Sequence, residues 1–136
     1  MENKEAREKI ILVVDDDPTV IELYKRMFKN YGLDVLVARD GDKGLKMIKE
    51  QKPDFVILDI RMPKLDGIEV MKEVRKDAST KDTPVLILTN YDLEEYRREV
   101  AKLDVVDFVT KIGIDPSALV RRVIDFLANQ RQVSSK

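Results

Sequence analysis

The sequence predicts a doubly wound α/β fold in which five parallel strands, in the order 2-1-3-4-5, are covered on both faces by five helices. Three observations carry that expectation. Short apolar runs without helical spacing, at 10–14 (IILVV), 55–58 (FVIL) and 85–88 (VLIL), read as strands buried on both faces. The segments between them carry apolar residues at three- and four-residue spacing, the signature of amphipathic helices. Strand and helix signals alternate along the chain, and that alternation implies right-handed crossovers within one parallel sheet.

Each element has its own local reason. The first strand runs into Asp15, Asp16, Asp17 and Pro18, where Asp17 suits a helix cap and Pro18 its first position. Val20, Leu23, Tyr24, Met27, Phe28 and Tyr31 then space out a helix that Gly32 is placed to end. The second strand, 33–38, is interrupted by Asp34 and so belongs at a sheet edge. Asp40-Gly41-Asp42 starts a short helix reaching about Gln51, with Leu45 and Ile48 inward. The third strand follows Pro53 and delivers Asp59. After it, Pro63 and Gly67 give the loop a definite shape, and Ile68, Met71 and Val74 face the core from the next helix. The fourth strand ends on Thr89. A capping-box pattern, Asp92 with Glu95, predicts that the fourth helix starts at Asp92 and faces Leu93, Tyr96, Val100 and Leu103 inward. The fifth strand, 105–110, contains Asp107 and reads as the other edge; it delivers Lys111. Asp115-Pro116 opens the last helix, lined by Leu119, Val120, Val123, Ile124 and Leu127. Residues 1–8 read as a charged lead-in, 9–128 as the domain, and 129–136 as a polar tail or cut linker.

Composition removes whole classes of chemistry. With 136 residues there is room for one ordinary domain. Lys and Arg number 25 against 26 for Asp and Glu, so nothing favours a nucleic acid as direct partner. No apolar run approaches the roughly 20 residues of a membrane span, and no signal-like segment follows the charged start, so the expectation is a cytoplasmic chain. There is no cysteine and no histidine. Thiolate and imidazole metal sites, histidine triads and histidine general bases are therefore excluded, and carboxylates dominate what remains.

In the predicted order, Asp15, Asp16, Asp59, Thr89 and Lys111 all fall at the carboxyl ends of strands, the rim where open α/β sheets bind ligands. Three carboxylates so close repel one another and raise some of their pKa values unless a cation sits among them. Oxygen-only ligands suit Mg²⁺. A carboxylate attacks a phosphoryl group poorly because both are negative; Mg²⁺ and the Lys111 ammonium would offset that charge, with the Thr89 hydroxyl as a further donor. The product would be an aspartyl phosphate on Asp59. Lys111 and Thr89 are expected to be the uncommitted donors of the rim. Arg61, Asn90 and Tyr91, beside these residues, are expected to control the access of water.

VVDDDP, LDIRMPKLDG, VLILT and DFVTK, in that order between about Lys9 and Leu127, resemble the receiver domains of two-component response regulators, a flavodoxin-like (βα)5 family. The resemblance implies that Asp59 accepts the phosphoryl group. It implies Mg²⁺ held by the side chains of Asp16 and Asp59 and the backbone carbonyl of Arg61, with Asp15 acting through water or hydrogen bonds. Lys111 would contact the phosphoryl group, and Thr89 and Phe108 would rearrange on phosphorylation. The donor would be a phosphohistidine of a sensor histidine kinase or histidine phosphotransfer protein. Output would be a change in the face of the fourth helix, fifth strand and fifth helix, used for a downstream protein or a phosphorylation-dependent homodimer. Such a chain is not an enzyme beyond its own Mg-dependent phosphorylation and dephosphorylation.

Three positions depart from the family pattern. Ile112 replaces the usual proline after the lysine, Asn90 stands where a small residue is usual, and Asp104 stands where glycine often ends the fourth helix. Two rival readings exist. Asp15-Asp16-Asp17-Pro18-Thr19 also fits the DxDxT signature of haloacid-dehalogenase-like phosphohydrolases, with Asp15 as nucleophile, but that reading leaves LDIRMPKLDG unexplained. A docking module that is never phosphorylated would require a missing carboxylate, threonine or lysine, and none is missing.

Overall fold

The computed structural model describes residues 9–134. The expected lead-in, 1–8, and the last two residues of the expected tail lie outside the described residues. Ten elements alternate: β1 (Ile11–Val14), α1 (Pro18–Lys29), β2 (Val35–Ala38), α2 (Gly41–Gln51), β3 (Phe55–Leu58), α3 (Gly67–Lys76), β4 (Val85–Thr89), α4 (Glu94–Ala101), β5 (Asp107–Thr110) and α5 (Pro116–Ser134). The strands form one parallel sheet in the order β2-β1-β3-β4-β5. β1, β3 and β4 are buried throughout, whereas β2 and β5 are only partly buried, which places the Asp34 and Asp107 strands at the edges as their polarity requires.

Alternating side chains of the strands feed two cores. Ile11, Val13, Phe55, Ile57, Leu86 and Leu88 pack with Ile21, Tyr24 and Phe28 of α1 and Leu119, Val120 and Val123 of α5. Leu12, Val14, Val56, Leu58, Val85 and Ile87 pack with Ile48 of α2, Met71 and Val74 of α3 and Val100 of α4 on the opposite face. Each fully buried large apolar side chain contributes about 1.5–3 kcal/mol relative to exposure, so the three central strands hold the sheet rigidly beneath the site they end in.

Most helix starts follow from their caps. Asp17 accepts from the Thr19 N–H with Pro18 at the first turn, Asp40 accepts from Lys43, and Asp66 and Glu69 form a reciprocal capping box. Gly32 takes φ +78° after α1 and Asp104 takes φ 56° after α4, a left-handed residue where the sequence has Asp in place of glycine. The fourth helix corrects the expectation. It begins at Glu94, one turn is left without a side-chain cap at Leu93, and the Asp92 carboxylate is taken by the Arg97 guanidinium instead. A charge-assisted bond to a guanidinium outcompetes a bond to a neutral backbone N–H. α5 also differs, since the polar stretch from 129 continues as helix to Ser134. The edge strands are shorter than expected: β2 begins at Val35, and β5 at Asp107.

Candidate functional site

The carboxyl-end rim brings together what the sequence placed there. β1 and β3 are neighbours in register Val14↔Leu58, so Asp15 and Asp59 leave the sheet side by side. Backbone bonds fix both: the Asp15 N–H donates to the Ala38 carbonyl at 3.0 Å and the Asp59 N–H to the Val14 carbonyl at 3.0 Å. Carboxylate oxygens of Asp15, Asp16 and Asp59 lie within 4.8 Å of one another; Asp15 and Asp59 are buried and Asp16 is exposed. Asp15 Oδ1 accepts from the Asp17 N–H at 2.9 Å, and Asp59 Oδ1 accepts from the Ile60 N–H at 2.7 Å. Their other oxygens share one cation. Lys111 Nζ lies 2.8 Å from Asp15 Oδ2 and 3.1 Å from Asp59 Oδ2.

That arrangement corrects the expectation of a free Lys111. The ammonium is committed to two buried carboxylates because leaving them uncompensated would be costly. Desolvation pulls the Lys111 ammonium down, but the Asp15 hydrogen bond and the charges of Asp15 and Asp59 outweigh it and hold its pKa above the ordinary value. Asp15 is pushed up from 3.8, first by desolvation and further by the charge of Asp59, against the hydrogen bonds from Lys111 and Asp17. Burial, more than mutual repulsion, is therefore what raises it.

The loop after Asp59 is held closely. The Gly67 N–H donates to the Ile60 carbonyl at 2.7 Å, and a Cβ on Gly67 would fall 2.2 Å from the Asp59 carbonyl oxygen, so the chain requires glycine there. Between them the Leu65 N–H bonds the Pro63 carbonyl at 3.0 Å around Lys64 at φ 75°, a three-residue turn in a sparsely populated conformation. Nothing in the sequence marks Lys64 for it. Arg61, on the same loop, stacks over the Tyr91 ring at 4.5 Å from its centroid. Asn90 and Tyr91 are exposed; Thr89 is fully buried, and its Oγ1 accepts from the Tyr91 N–H at 3.2 Å. Lys111 is tied to the same strand end through its N–H, which donates to the Thr89 carbonyl at 2.8 Å. Ile112 is 80 % exposed, and no cis peptide bond occurs among the described residues.

Phe108 is not at the carboxylates. It pairs with Ile87, two residues before Thr89, is half-buried, and lies under Arg97, whose guanidinium carbon is 4.4 Å from the ring centroid. That contact spans eleven residues between a helix and a strand, and no local pattern announces it.

The acidic cluster fits a divalent cation. Its donors are hard carboxylate oxygens, and they already stabilise one positive charge, that of Lys111. A cleft of about 380 Å³ lined by Arg75, Thr83, Asp104 and Phe126 lies at the opposite, amino-end rim. A small anion on an exposed rim needs charge rather than enclosure.

Residues 11–124 match the family described as response regulator receiver domain. Protein PilH of Pseudomonas aeruginosa is 37% identical over 120 residues, which cover 87% of this chain and 97% of PilH. The alkaline phosphatase synthesis transcriptional regulatory protein PhoP of Bacillus subtilis is 40% identical over 104 residues, 76% of this chain and 42% of PhoP, so the chain spans less than half the length of that relative. The solved receiver domain of Francisella response regulator 1452 superposes with a TM-score of 0.80 at 33% identity, covering 90% of this chain and 99% of that one.

Proposed function

This chain belongs to the response regulator receiver domain family, and from that premise we propose that Asp59 is its phosphoacceptor and that Asp15, Asp16, Lys111, Thr89 and the Arg61 carbonyl serve the transfer. Receiver domains of two-component response regulators accept phosphoryl groups, bind Mg²⁺ through acidic residues and are phosphorylated by sensor histidine kinases. The observation that carries the assignment here is the Lys111 ammonium shared by Asp15 and Asp59 at adjoining strand ends, at 2.8 and 3.1 Å. A phosphohydrolase using Asp15 as nucleophile is not favoured, because the receiver-domain match covers residues 11–124 and leaves no separate role for that signature.

Asp16 and Asp59 would hold Mg²⁺ by their side chains, with the Arg61 carbonyl as a further ligand and Asp15 acting through water or hydrogen bonds. The bound ion would supply positive charge that offsets the phosphoryl oxygens. An Asp59 oxygen attacks the phosphorus of a phosphohistidine on a sensor kinase or phosphotransfer protein; the new P–O bond forms as the P–N bond breaks, and the imidazole leaves. Lys111, released from one carboxylate, neutralises part of the charge carried by the new acyl phosphate. The Thr89 hydroxyl donates to one of its oxygens. Water ends the phosphorylated state by attacking phosphorus: a new P–O bond forms as the Asp59 O–P bond breaks, inorganic phosphate leaves and the carboxylate is regenerated, and the stacked pair Arg61–Tyr91, with Asn90, limits that water. The chain's catalysis is confined to its own phosphorylation and dephosphorylation.

The signal would then pass to the surface. The acyl phosphate draws Thr89 inward, Phe108 follows into the vacated space, and the face of α4, β5 and α5 changes for a downstream protein or a second copy of the chain. No helix among the described residues is long and apolar enough to cross a membrane; a cytoplasmic setting suits a kinase-facing partner. Incubation with an autophosphorylated sensor kinase tests the assignment: label should pass to the wild type in Mg²⁺ and fail to pass to Asp59→Asn or in EDTA. Equal labelling of the variant would refute it.

A further inference from the structure

α4 is anchored more firmly at its carboxyl end than at its amino end. Its single fully buried residue is Val100, near its carboxyl end. Just beyond, the Arg75 guanidinium of α3 donates to the Leu103 carbonyl at 2.7 Å and the Asp104 carbonyl at 3.1 Å, and on its other side to the Lys81 and Thr83 carbonyls, each at 2.8 Å. Lys72 of α3 adds an ion pair with Glu99 at 3.4 Å. The amino end is held less firmly, with Tyr96 half-buried against the same core. Leu93 is 42% exposed and caps the helix without a side-chain bond. What else holds that end is Arg97, which bonds the Asp92 carboxylate on the preceding loop and lies 4.4 Å over the half-buried Phe108 ring on β5.

We propose that Arg97 is a latch: stacked on Phe108 and tied to Asp92, it keeps the ring outward and the amino end of α4 in its unphosphorylated place, while Arg75 makes the carboxyl end the pivot. The proposal rests on the switch reading given above. It adds that the resting state is held by a specific contact, and that α4 moves as a lever and not as a unit. A guanidinium on a partly exposed ring is a weak hold, so the latch biases the two states without locking either. Phe108 cannot turn inward beneath Arg97 without giving up the stacked face, and that loss is what phosphorylation must outweigh. A bistable element with a small gap is what a reversible signal requires.

The test uses amide and methyl chemical shifts of the whole chain with and without beryllofluoride and Mg²⁺, for wild type, Arg97→Ala and Arg97→Lys. The readout is the Thr89 methyl and the Tyr91 and Val109 amides, whose residues carry none of Arg97's side-chain contacts. Without beryllofluoride, Arg97→Ala should move these signals along the wild-type activation path, raising the activated population about two- to fivefold. Arg97→Lys, which keeps the charge and loses the planar stack, should fall between. In wild type, activation should shift the Leu93 amide more than those of Leu103 and Asp104. Resting shifts of Arg97→Ala that coincide with wild type, in a protein that still responds to beryllofluoride, would overturn the latch and leave the switch reading intact. A wild type whose Phe108 region ignores beryllofluoride overturns the switch reading and the latch with it. Equal movement at Leu93 and Leu103 removes the pivot.

Discussion

The two rims of the sheet use a partly buried cation in opposite ways. At the amino end Arg75 donates to four backbone carbonyls, neutral partners that come from two loops. Desolvation lowers its pKa, with Asp104 and Asp82 opposing, and the guanidinium stays charged regardless. At the carboxyl end Lys111 is shared by two carboxylates of the acidic cluster that we propose as the divalent-cation site. The difference is one of replaceability. The Leu103 and Thr83 carbonyls are partly buried and rely on Arg75, so that rim is the more fixed; on our proposal the carboxylates that hold Lys111 also accept a divalent ion, so that rim exchanges one cation for another.

The largest effect should come from breaking the fixed rim. Arg75→Ala removes four charge-assisted bonds and leaves two of their acceptors, the Leu103 and Thr83 carbonyls, partly buried, and a loss of about 2–4 kcal/mol is expected. The measurement is the urea midpoint, alongside the phosphorylation rate per folded molecule. Stability should fall while that rate holds; a rate that collapses in folded protein would show the rims are not separable.

A smaller change tests exchange at the other rim. Lys111→Met removes the competing ammonium, and Mg²⁺ affinity should rise by roughly three- to tenfold, since one positive charge at about 3 Å is exchanged for another. Titration of the Asp59-region amides with Mg²⁺ would read it. Weaker binding in the variant would mean that Lys111 assists the metal instead of holding its place. The same variant should lose stability in EDTA and recover it in Mg²⁺, because its two buried carboxylates are then compensated again.

The smallest expected effect concerns the lip of the site. Tyr91→Ala frees Arg61 from its stack and opens the path of water, so the acyl-phosphate half-life should shorten by about two- to fivefold, in line with the modest energy of an exposed cation–π pair. Asn90→Ala should also change the half-life while Mg²⁺ affinity stays near the wild-type value. Decay curves for the phosphorylated protein decide both, and unchanged half-lives would make these residues surface filler.

How much of this could be read in advance depended on the reach of each interaction. The sheet order was legible because β1, β3 and β4 are apolar without alternation while Asp34 just before β2 and Asp107 at the start of β5 mark the edge strands. The rim residues were legible for the same reason, since a strand that ends on Asp15, Asp59, Thr89 or Lys111 must deliver it to the same side of a parallel sheet. The commitment of Lys111 was not legible: its two partners lie 96 and 52 positions away, and only packing decides which donor reaches a buried carboxylate. Local competition hid the start of α4, where Asp92 looks like a cap but serves Arg97. The helical continuation of α5 to Ser134 carries no apolar stripe to announce it. Arg97 on Phe108 has no sequence signature at all.

The central claim is that Asp59, on the exchangeable rim, takes a phosphoryl group with the help of a divalent cation. Intact mass after incubation with acetyl phosphate tests it without any partner protein. With Mg²⁺ the wild type should gain the mass of one phosphoryl group, and Asp59→Asn, or the wild type in EDTA, should gain none. One added group on Asp59→Asn, or full modification of the wild type in EDTA, would contradict the account.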